Sequence, residues 1–358
     1  MCLKDSRVAN LEFYKGKKIF LTGDTGFKGA WFSQVLEYLG ANVLGYALPA
    51  QSQSLYERVY GDNHKNHLDA DILDYDKLKK VIDEFQPEIV FHFAAFGFIK
   101  ECFDNPLKAY NTNLIGTVNL LEALRNVATV KSIVLVSTDK VYFNKGDGTN
   151  YTEKDVLGGL SPYSGSKTCM EFAIKDYVDT FYKNKGIGVS VVRASNVLAG
   201  GDHIQSRLIP SILRAISAGE TLEIRNPNQT RPWQSVLDAL DGYLTVARYG
   251  YMKNCEEPCE WNIGPTEDGI RTVGWIVNTM KKAFHGLKDE IGEAYEVKES
   301  GTLGLDIQKM LHETDWFPKL SCEKVLEQVV DFYKSDCAGE TPMNICKRQI
   351  TEYYNYHL

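Results

Sequence analysis

Tyr163 and Lys167 are four residues apart, a spacing that places a phenol and an ammonium on one face of a helix. A nearby cation lowers the pKa of a phenol, so Tyr163 is a candidate general base toward a sugar or alcohol hydroxyl. Tyr-x-x-x-Lys also occurs by chance in a chain with 20 tyrosines. The meaning of this pair therefore depends on the elements around it.

A second set of reactive side chains lies in Thr138-Asp139-Lys140. The hydroxyl of Thr138 or of Ser137 can hydrogen-bond a substrate oxygen, and the adjacent acid and amine can handle two further protons. The alternative interpretation is a surface turn with two charges. Ligands of parallel sheets bind at the carboxyl ends of strands, so a strand that ends at Ser137 would favour the functional interpretation.

Three glycines with the spacing G-x-x-G-x-x-G follow the apolar run 18–22. The first permits a tight turn, the second leaves room for a pyrophosphate, and the third allows a helix to pack closely on the strand. The free N–H groups at the start of that helix attract the anion. The pattern predicts a dinucleotide site, in which Lys167 also holds the nicotinamide ribose. The predicted ligands in the turn are Gly23, Thr25, Gly26, Phe27 and Gly29.

The second strand leaves the choice between NAD and NADP open. An NAD site usually carries an acidic residue about 20 residues after the glycine turn. Here the strand ends in Gly45-Tyr46-Ala47-Leu48-Pro49, without an acid or an arginine. Asp71 and Ile72, after the next short run, are candidates for binding the adenine, and a solvated loop aspartate is the alternative for Asp71.

Apolar runs alternate with segments of helical periodicity after a polar leader. The predicted strands are 18–22, 41–47, 89–93, 132–137 and 189–193, and the predicted helices are 27–39, 74–85, 113–126 and 163–182. This order is typical of right-handed βαβ crossovers. We therefore predict an α/β fold, a Rossmann-type doubly wound parallel sheet with a smaller, interleaved C-terminal substrate-binding subdomain.

The pattern loosens beyond Ala199. We predict a dinucleotide-binding domain at 15–199 and a substrate-binding subdomain mainly at 200–340. The two are interleaved, because Trp261-Asn262-Ile263 is predicted to return to the main sheet within a segment near 233–265.

Composition excludes several classes of protein. The chain has 358 residues, 44% hydrophobic and 24% charged, which is typical of a globular protein. The chain has no apolar run of about 18 residues, so we expect no membrane span. The N-terminus lacks the apolar core of a signal peptide. The net charge of −7 without a basic block argues against nucleic-acid binding. The closest cysteine pair, Cys255 and Cys259, lacks partners for zinc, so we expect reduced thiols, no metal and a cytoplasmic location.

Together these motifs resemble the extended short-chain dehydrogenase/reductases. Within that family the chain is most similar to the CDP-glucose 4,6-dehydratases, from about Lys15 to Tyr333. The segments that carry the likeness are Thr22–Gly29, Thr138–Lys140, Tyr163–Lys167, Arg225–Pro227 and Arg231–Gln234.

The resemblance implies an NAD-dependent hydro-lyase that acts on a nucleotide sugar, with CDP-glucose as the first candidate substrate. It also implies that the product supplies deoxysugars for a surface polysaccharide. It implies that Tyr163 deprotonates the C4 hydroxyl, which Thr138 positions. Asp139 is then the acid for the departing C6 oxygen, and Lys140 takes the C5 proton. Lys140 can serve as a base only if its pKa is depressed, as burial beside Lys167 would do.

The resemblance also implies a homodimer or homotetramer built through helices 113–126 and 163–182. It places two alanines beside the cofactor and three polar residues on the nucleotide-sugar diphosphate, although a surface salt bridge is the alternative for Arg231. These residues are Ala94 and Ala95 for the cofactor, and Asn196, Arg207 and Arg231 for the substrate.

Three departures from that pattern keep other functions open. The segment Phe96–Lys100 replaces Gln-Pro-Leu-Val-Arg, and Glu299-Ser300-Gly301 stands where His-Glu-Ala is usual. Asp24 replaces a histidine in the glycine turn, where it would add negative charge or cap the helix. One alternative is an epimerase, or a dehydratase for another nucleotide-hexose. The other is a non-catalytic dinucleotide sensor.

Overall fold

The computed structural model describes residues 5–61, 64, 66–204, 206–253, 259–284, 286–292 and 303–355. The strands are β1 (Lys18–Thr22), β2 (Asn42–Ala47), β3 (His67–Asp69), β4 (Ile89–His92), β5 (Ser132–Val136), β6 (Asn150–Tyr151), β7 (Gly188–Ala194), β8 (Asn196–Leu198), β9 (Thr221–Ile224), β10 (Thr230–Ser235), β11 (Cys259–Ile263), β12 (Ile270–Thr272), β13 (Lys288–Ile291) and β14 (Gly304–Leu305).

The α-helices lie between and after these strands. They are α1 (Ser6–Phe13), α2 (Phe27–Tyr38), α3 (Leu55–Tyr60), α4 (Tyr75–Phe85), α5 (Ile99–Asp104), α6 (Pro106–Tyr110), α7 (Gly116–Leu124), α8 (Pro162–Tyr177), α9 (Leu208–Ala218), α10 (Val236–Lys253), α11 (Val273–Ala283), α12 (Gln308–Glu313), α13 (Cys322–Cys337) and α14 (Pro342–Asn355). Two π-helical turns, Asn111–Ile115 and Val178–Tyr182, join α6 to α7 and extend α8.

Seven parallel strands form the central sheet, in the order β11-β7-β5-β4-β1-β2-β3. Every residue of β4 and β5 is buried, as expected for parallel strands covered on both faces. One apolar cluster packs α2 and α10 on one face of the sheet. A second packs α4, α7 and α8 on the other face. The predicted doubly wound fold is therefore confirmed.

The predicted elements agree with the observed ones to within a few residues. Gly40, with φ of +71°, lies directly after the predicted helix 27–39 and ends α2. The strand predicted at Trp261–Ile263 is β11, which pairs in parallel with β7 at the edge of the main sheet.

A third apolar cluster lies outside the main sheet and joins α9, β9, α11 and α13. Beside it, β10 pairs with both β8 and β12. The division of the chain at Ala199 stays a prediction.

Both ends of the described chain pack against helices that lie beside the main sheet. The leader forms α1, whose Asn10 donates to Asp241 in α10 (2.9 Å). At the other end, α14 contacts α2 and α3. Across the described ranges, no helix is long and apolar enough to cross a membrane. The same residues contain no group of three His, Cys, Asp or Glu side chains suited to a metal ion, and Cys255 lies outside them.

Candidate active site

The glycine turn joins β1 to α2 and leaves the start of α2 open. Gly23 has φ of +75°, and a Cβ there would lie 2.5 Å from the Ala94 nitrogen. A Cβ on Gly29 would lie 2.2 Å from the Gly23 oxygen, so the helix packs directly on the turn. A Cβ on Gly26, the exposed N-cap, would meet only the Gly23 oxygen, at 3.3 Å. This cradle fits a dinucleotide pyrophosphate, and Thr25 closes it by donating to the Leu48 carbonyl (3.0 Å).

The other predicted cofactor residues lie along the same edge of the sheet. Ala94 and Ala95 follow β4, and the Ala94 N–H donates to the Thr22 hydroxyl (3.2 Å). Asp71 and Ile72 follow β3. Asp71 is exposed and accepts from the Leu73 N–H (3.0 Å), whereas Ile72 is buried.

Asp24 does not cap α2, so the capping prediction is wrong. The N-cap is Gly26, and no side chain caps the helix. The Asp24 carboxylate instead occupies the space that a Cβ on Gly45 would fill, and it accepts from His67 (Nδ1–Oδ2 2.7 Å). Burial lowers the pKa of His67, but its bonds to Asp24 and Asp69 outweigh burial and raise it. The raised pKa favours the protonated form of His67, whose charge balances the carboxylate in the turn.

A 3₁₀ turn over Asp139–Val141 follows β5; Thr138 is its N-cap, Asp139 is buried and Lys140 is partly exposed. The Thr138 hydroxyl accepts from the Lys140 N–H (3.3 Å) and donates to Asp139 Oδ1 (3.0 Å). Lys140 Nζ lies 2.9 Å from the same Asp139 oxygen and 3.4 Å from Asn196 Oδ1. The side chains of these four residues are therefore joined in one hydrogen-bonded group, in which Lys140 connects Asp139 and Thr138 with Asn196.

Tyr163 and Lys167 lie in the first turns of α8, which Ser161 and Ser164 stabilise with a reciprocal capping box. Lys167 is buried, and its ammonium donates to the Val136 carbonyl at the end of β5 (2.8 Å). The structure thus brings Tyr163 and Lys167 to the strand end that carries Thr138–Lys140.

The charge states at this edge differ from the sequence-based expectation. Burial raises the pKa of Tyr163, and the Lys140 ammonium and Thr138 hydroxyl offset this only in part. Burial lowers the pKa of Lys140, but the carboxylate of Asp139 outweighs it, so the expected depression is wrong. Burial and the ammonium of Lys28 instead lower the pKa of Lys167 to about 7.

Lys28 faces this group and was not predicted as a site residue. Its ammonium lies 3.3 Å from the Tyr243 hydroxyl. Burial and the charge of Arg207 lower its pKa to about 8. The only sequence signal was its position inside the glycine turn.

The predicted diphosphate residues lie on the small sheet and at the start of α9. Asn196 is in β8, directly opposite Trp233 of β10. Arg231, also in β10, donates to the Thr230 carbonyl (3.2 Å), and its charge acts on Lys140. Arg207 pairs with Asp202 (3.0 Å).

Arg207 also connects the subdomain with the Phe96–Lys100 segment. Its guanidinium carbon lies 5.5 Å from the ring centre of Phe98 and 5.8 Å from that of Phe27. Phe98 in this segment is the N-cap of α5. The side-chain amide of Asn113 accepts from the Phe96 N–H (2.8 Å) and donates to the Phe96 carbonyl (3.0 Å), so the start of the segment is held at both backbone groups. A Cβ on Gly97 would lie 3.9 Å from the Tyr163 ring. The segment Glu299–Gly301 lies outside the described residues.

The chain is similar in sequence to known 4,6-dehydratases over most of its length. The model of a protein family described as "GDP-mannose 4,6 dehydratase" matches residues 20–329. The chain is 38% identical over 350 residues to CDP-glucose 4,6-dehydratase of Salmonella typhimurium, covering 95% of this chain and 97% of that protein. It is 25% identical to dTDP-glucose 4,6-dehydratase of Xanthomonas campestris, covering 87% and 92%.

Solved structures show the same architecture. The dTDP-glucose 4,6-dehydratase of Bacillus anthracis in complex with NAD has a TM-score of 0.75 at 25% identity, covering 92% of this chain and 100% of that chain. An epimerase of Methanothermobacter thermautotrophicus has a TM-score of 0.80 at 22% identity, covering 93% and 96%, and shows the shared fold.

Proposed function

The chain belongs to the GDP-mannose 4,6 dehydratase family, and on this premise we propose that it is an NAD-dependent hydro-lyase that converts CDP-glucose to CDP-4-keto-6-deoxyglucose. The observation that carries the proposal is the meeting of Asp139, Lys140 and Tyr163 around the end of β5. A simple C4 epimerase needs no acid for a leaving hydroxyl. The CDP-glucose assignment is supported by the identity to the Salmonella enzyme over nearly the whole of both chains.

The first step oxidises C4. Tyr163 accepts the proton of the C4 hydroxyl, which Thr138 orients. The positive charge of Lys140 favours the phenolate that this step needs. When bound, NAD would accept the C4 hydride and later return it to C6, with its pyrophosphate on the glycine turn and its nicotinamide ribose on Lys167.

The second step eliminates water, because the 4-ketone acidifies the C5 proton. Asp139 must be protonated and Lys140 neutral for this chemistry. A proton that moves from Lys140 to Asp139 along their 2.9 Å hydrogen bond creates both forms without a change of net charge. Asp139 then protonates the leaving C6 oxygen, and Lys140 takes the proton from C5.

The Thr138 hydroxyl also connects the two steps. It bonds Asp139 at 3.0 Å and lies against the Tyr163 phenol. The proton that Tyr163 took from the C4 hydroxyl can therefore pass through Thr138 to Asp139. Lys140 gives its proton to C5 when C6 receives the hydride, and the proton on Asp139 then moves to Lys140, which restores the starting state. Asn196, Arg207 and Arg231 hold the diphosphate in this proposal.

Incubation of the wild-type protein with CDP-glucose and NAD, without added reductant, tests the function. We expect a product that has lost the mass of one water and carries a 4-keto group, with no net NADH. An unchanged mass would exclude CDP-glucose as a dehydration substrate. A panel of other nucleotide-hexoses then tests the alternative in which the Phe96–Lys100 segment selects a different sugar.

The assembly we propose is a homodimer or larger oligomer formed through α6, α7 and α8. Exposed apolar side chains lie on α6, on the π-helical turn before α7 and on α8, and they include Leu107 (79% exposed), Ile115 (45%) and Phe172 (61%). Light scattering should give at least the mass of two chains, and Leu107→Glu should lower it. A monomer of the wild-type chain would contradict this assembly.

A further inference from the structure

A buried ion pair holds the residues on both sides of the catalytic turn. The carboxylate of Glu171 pairs with the guanidinium of Arg193 (Nε–Oε2 3.0 Å), and their side chains are 4% and 3% exposed. Ser137, which precedes the turn, donates its hydroxyl to Glu171. Tyr142, which follows the turn, accepts from Arg193 Nη1 (2.9 Å). The turn that carries Thr138, Asp139 and Lys140 is thus anchored at both ends.

The same pair connects the turn with α8. Glu171 lies one helical turn after Lys167, which itself donates to the Val136 carbonyl (2.8 Å). The helix that carries the base therefore contacts the end of β5 at two successive residues, Val136 and Ser137. Arg193 comes from β7, the strand next to β5 in the sheet.

Further hydrogen bonds fix the segment beyond the turn. The Tyr142 hydroxyl donates to Asn262 Oδ1 (2.7 Å), and Arg193 also donates to the Glu153 carbonyl (3.0 Å). Burial raises the pKa of Tyr142, so the phenol keeps its proton for Asn262. A buried ion pair seldom adds net stability over an apolar replacement, whereas loss of one partner is costly. The geometry here points to a role in placing the turn.

We propose that the Glu171–Arg193 pair is a positioning device that sets the Thr138–Lys140 turn against Tyr163 and Lys167, and that water elimination depends on it more steeply than C4 oxidation does. The proposal rests on the proposed dehydratase function. Tyr163 and Lys167 are carried by α8, whereas Asp139 and Lys140 are carried by the turn. A displaced turn therefore moves the acid and the C5 base away from C6 and C5.

Tyr142→Phe tests this most selectively, because it removes one hydroxyl and keeps the ring that stacks on Tyr151 (5.3 Å between centres). Ser137→Ala removes the anchor at the other end of the turn. The matched control is Tyr353→Phe, which removes a buried hydroxyl that donates to Asp238 (2.9 Å) in the contact of α14 with α10.

The first readout is a single turnover of CDP-glucose, in which nicotinamide absorbance follows oxidation and product mass follows elimination. In both turn variants we expect elimination to slow by about tenfold to 100-fold, with reduced nicotinamide accumulating. The control should behave like the wild type. Equal slowing of both steps, or of neither step, in the turn variants would overturn the proposal.

The second readout needs no substrate. Hydrogen–deuterium exchange of the peptide that covers 137–143 should be about tenfold faster in both turn variants than in the wild type and the control. Unchanged exchange in both would overturn the positioning role. If the wild type does not dehydrate CDP-glucose but exchange rises as expected, the proposed function fails and the positioning role stands.

Discussion

Replacement of Asp139 by asparagine separates the two halves of the proposed reaction. The Asp139 side chain is 3% exposed and accepts from the Lys140 ammonium (2.9 Å) and the Thr138 hydroxyl (3.0 Å). Asparagine has nearly the same shape and keeps a carbonyl oxygen for both donors. It cannot hold the proton that the C6 oxygen needs, so the acid function is removed while both contacts keep an acceptor.

The size of the effect follows from the contacts. A lost general acid costs about 10² to 10⁴ in rate, or about 3 to 5 kcal/mol of activation free energy. The second effect falls on Lys140, whose pKa burial and the charge of Arg231 lower but which Asp139, with a smaller contribution from Tyr163, raises overall. In Asp139→Asn the pKa of Lys140 therefore falls, and the C5 base remains available.

A stopped-flow single turnover of CDP-glucose provides the assay. C4 oxidation should persist within about tenfold of wild type, while water loss falls by at least about 100-fold and reduced nicotinamide accumulates. The control, Asp179→Asn, makes the same chemical change in an exposed pair with Lys175 and should match the wild type. Water loss at the wild-type rate in Asp139→Asn would refute the assignment of the acid.

Three further predictions concern the base, the cofactor cradle and stability in acid. Tyr163→Phe should slow nicotinamide reduction by at least about 100-fold in the same assay, and an undiminished rate would remove the tyrosine from the base role. Gly29→Ala places a Cβ 2.2 Å from the Gly23 oxygen, so a cofactor titration should show no binding at concentrations that saturate the wild type; wild-type affinity would contradict the packing argument. Burial, with the charge of Lys167, lowers the pKa of His92 to about 3, below its ordinary value near 6.5, so its stability contribution is present above about pH 6.5 and is lost as the pH falls toward 3. Urea unfolding should show that His92 accounts for about 3 kcal/mol of the decrease in the free energy of unfolding between about pH 7 and pH 4. If the free energy of unfolding of His92→Gln depended on pH as that of the wild type does, this assignment would be contradicted.

The sequence predicted the parts of the fold that local pattern determines. Short apolar runs predicted β1, β4 and β5, and the Gly23 and Gly29 spacing predicted the turn whose close contacts the structure shows. The return of β11 to the main sheet was predicted from Trp261-Asn262-Ile263. Local periodicity did not reveal α1, because its buried face is polar and its partners lie far along the chain, among them Asp241 in α10 and the Tyr353 carbonyl in α14.

The site was predictable in its members and less so in its electrostatics. A cap for α2 was one of the two roles considered for Asp24, but its partner is His67, which is 43 residues away in sequence. The pKa of Lys140 is raised by Asp139, its own neighbour, and that signal was present in the motif. The lowered pKa of Lys167 depends on Lys28, which reaches it only through the fold.

A label at C4 of the sugar tests the central claim most directly. CDP-glucose with deuterium at C4 is incubated with the protein and NAD, and the product is analysed by mass spectrometry and NMR. The account predicts loss of one water, a ketone at C4, and the deuterium in the new C6 methyl group. Deuterium retained at C4, or recovered in released reduced cofactor, would contradict it.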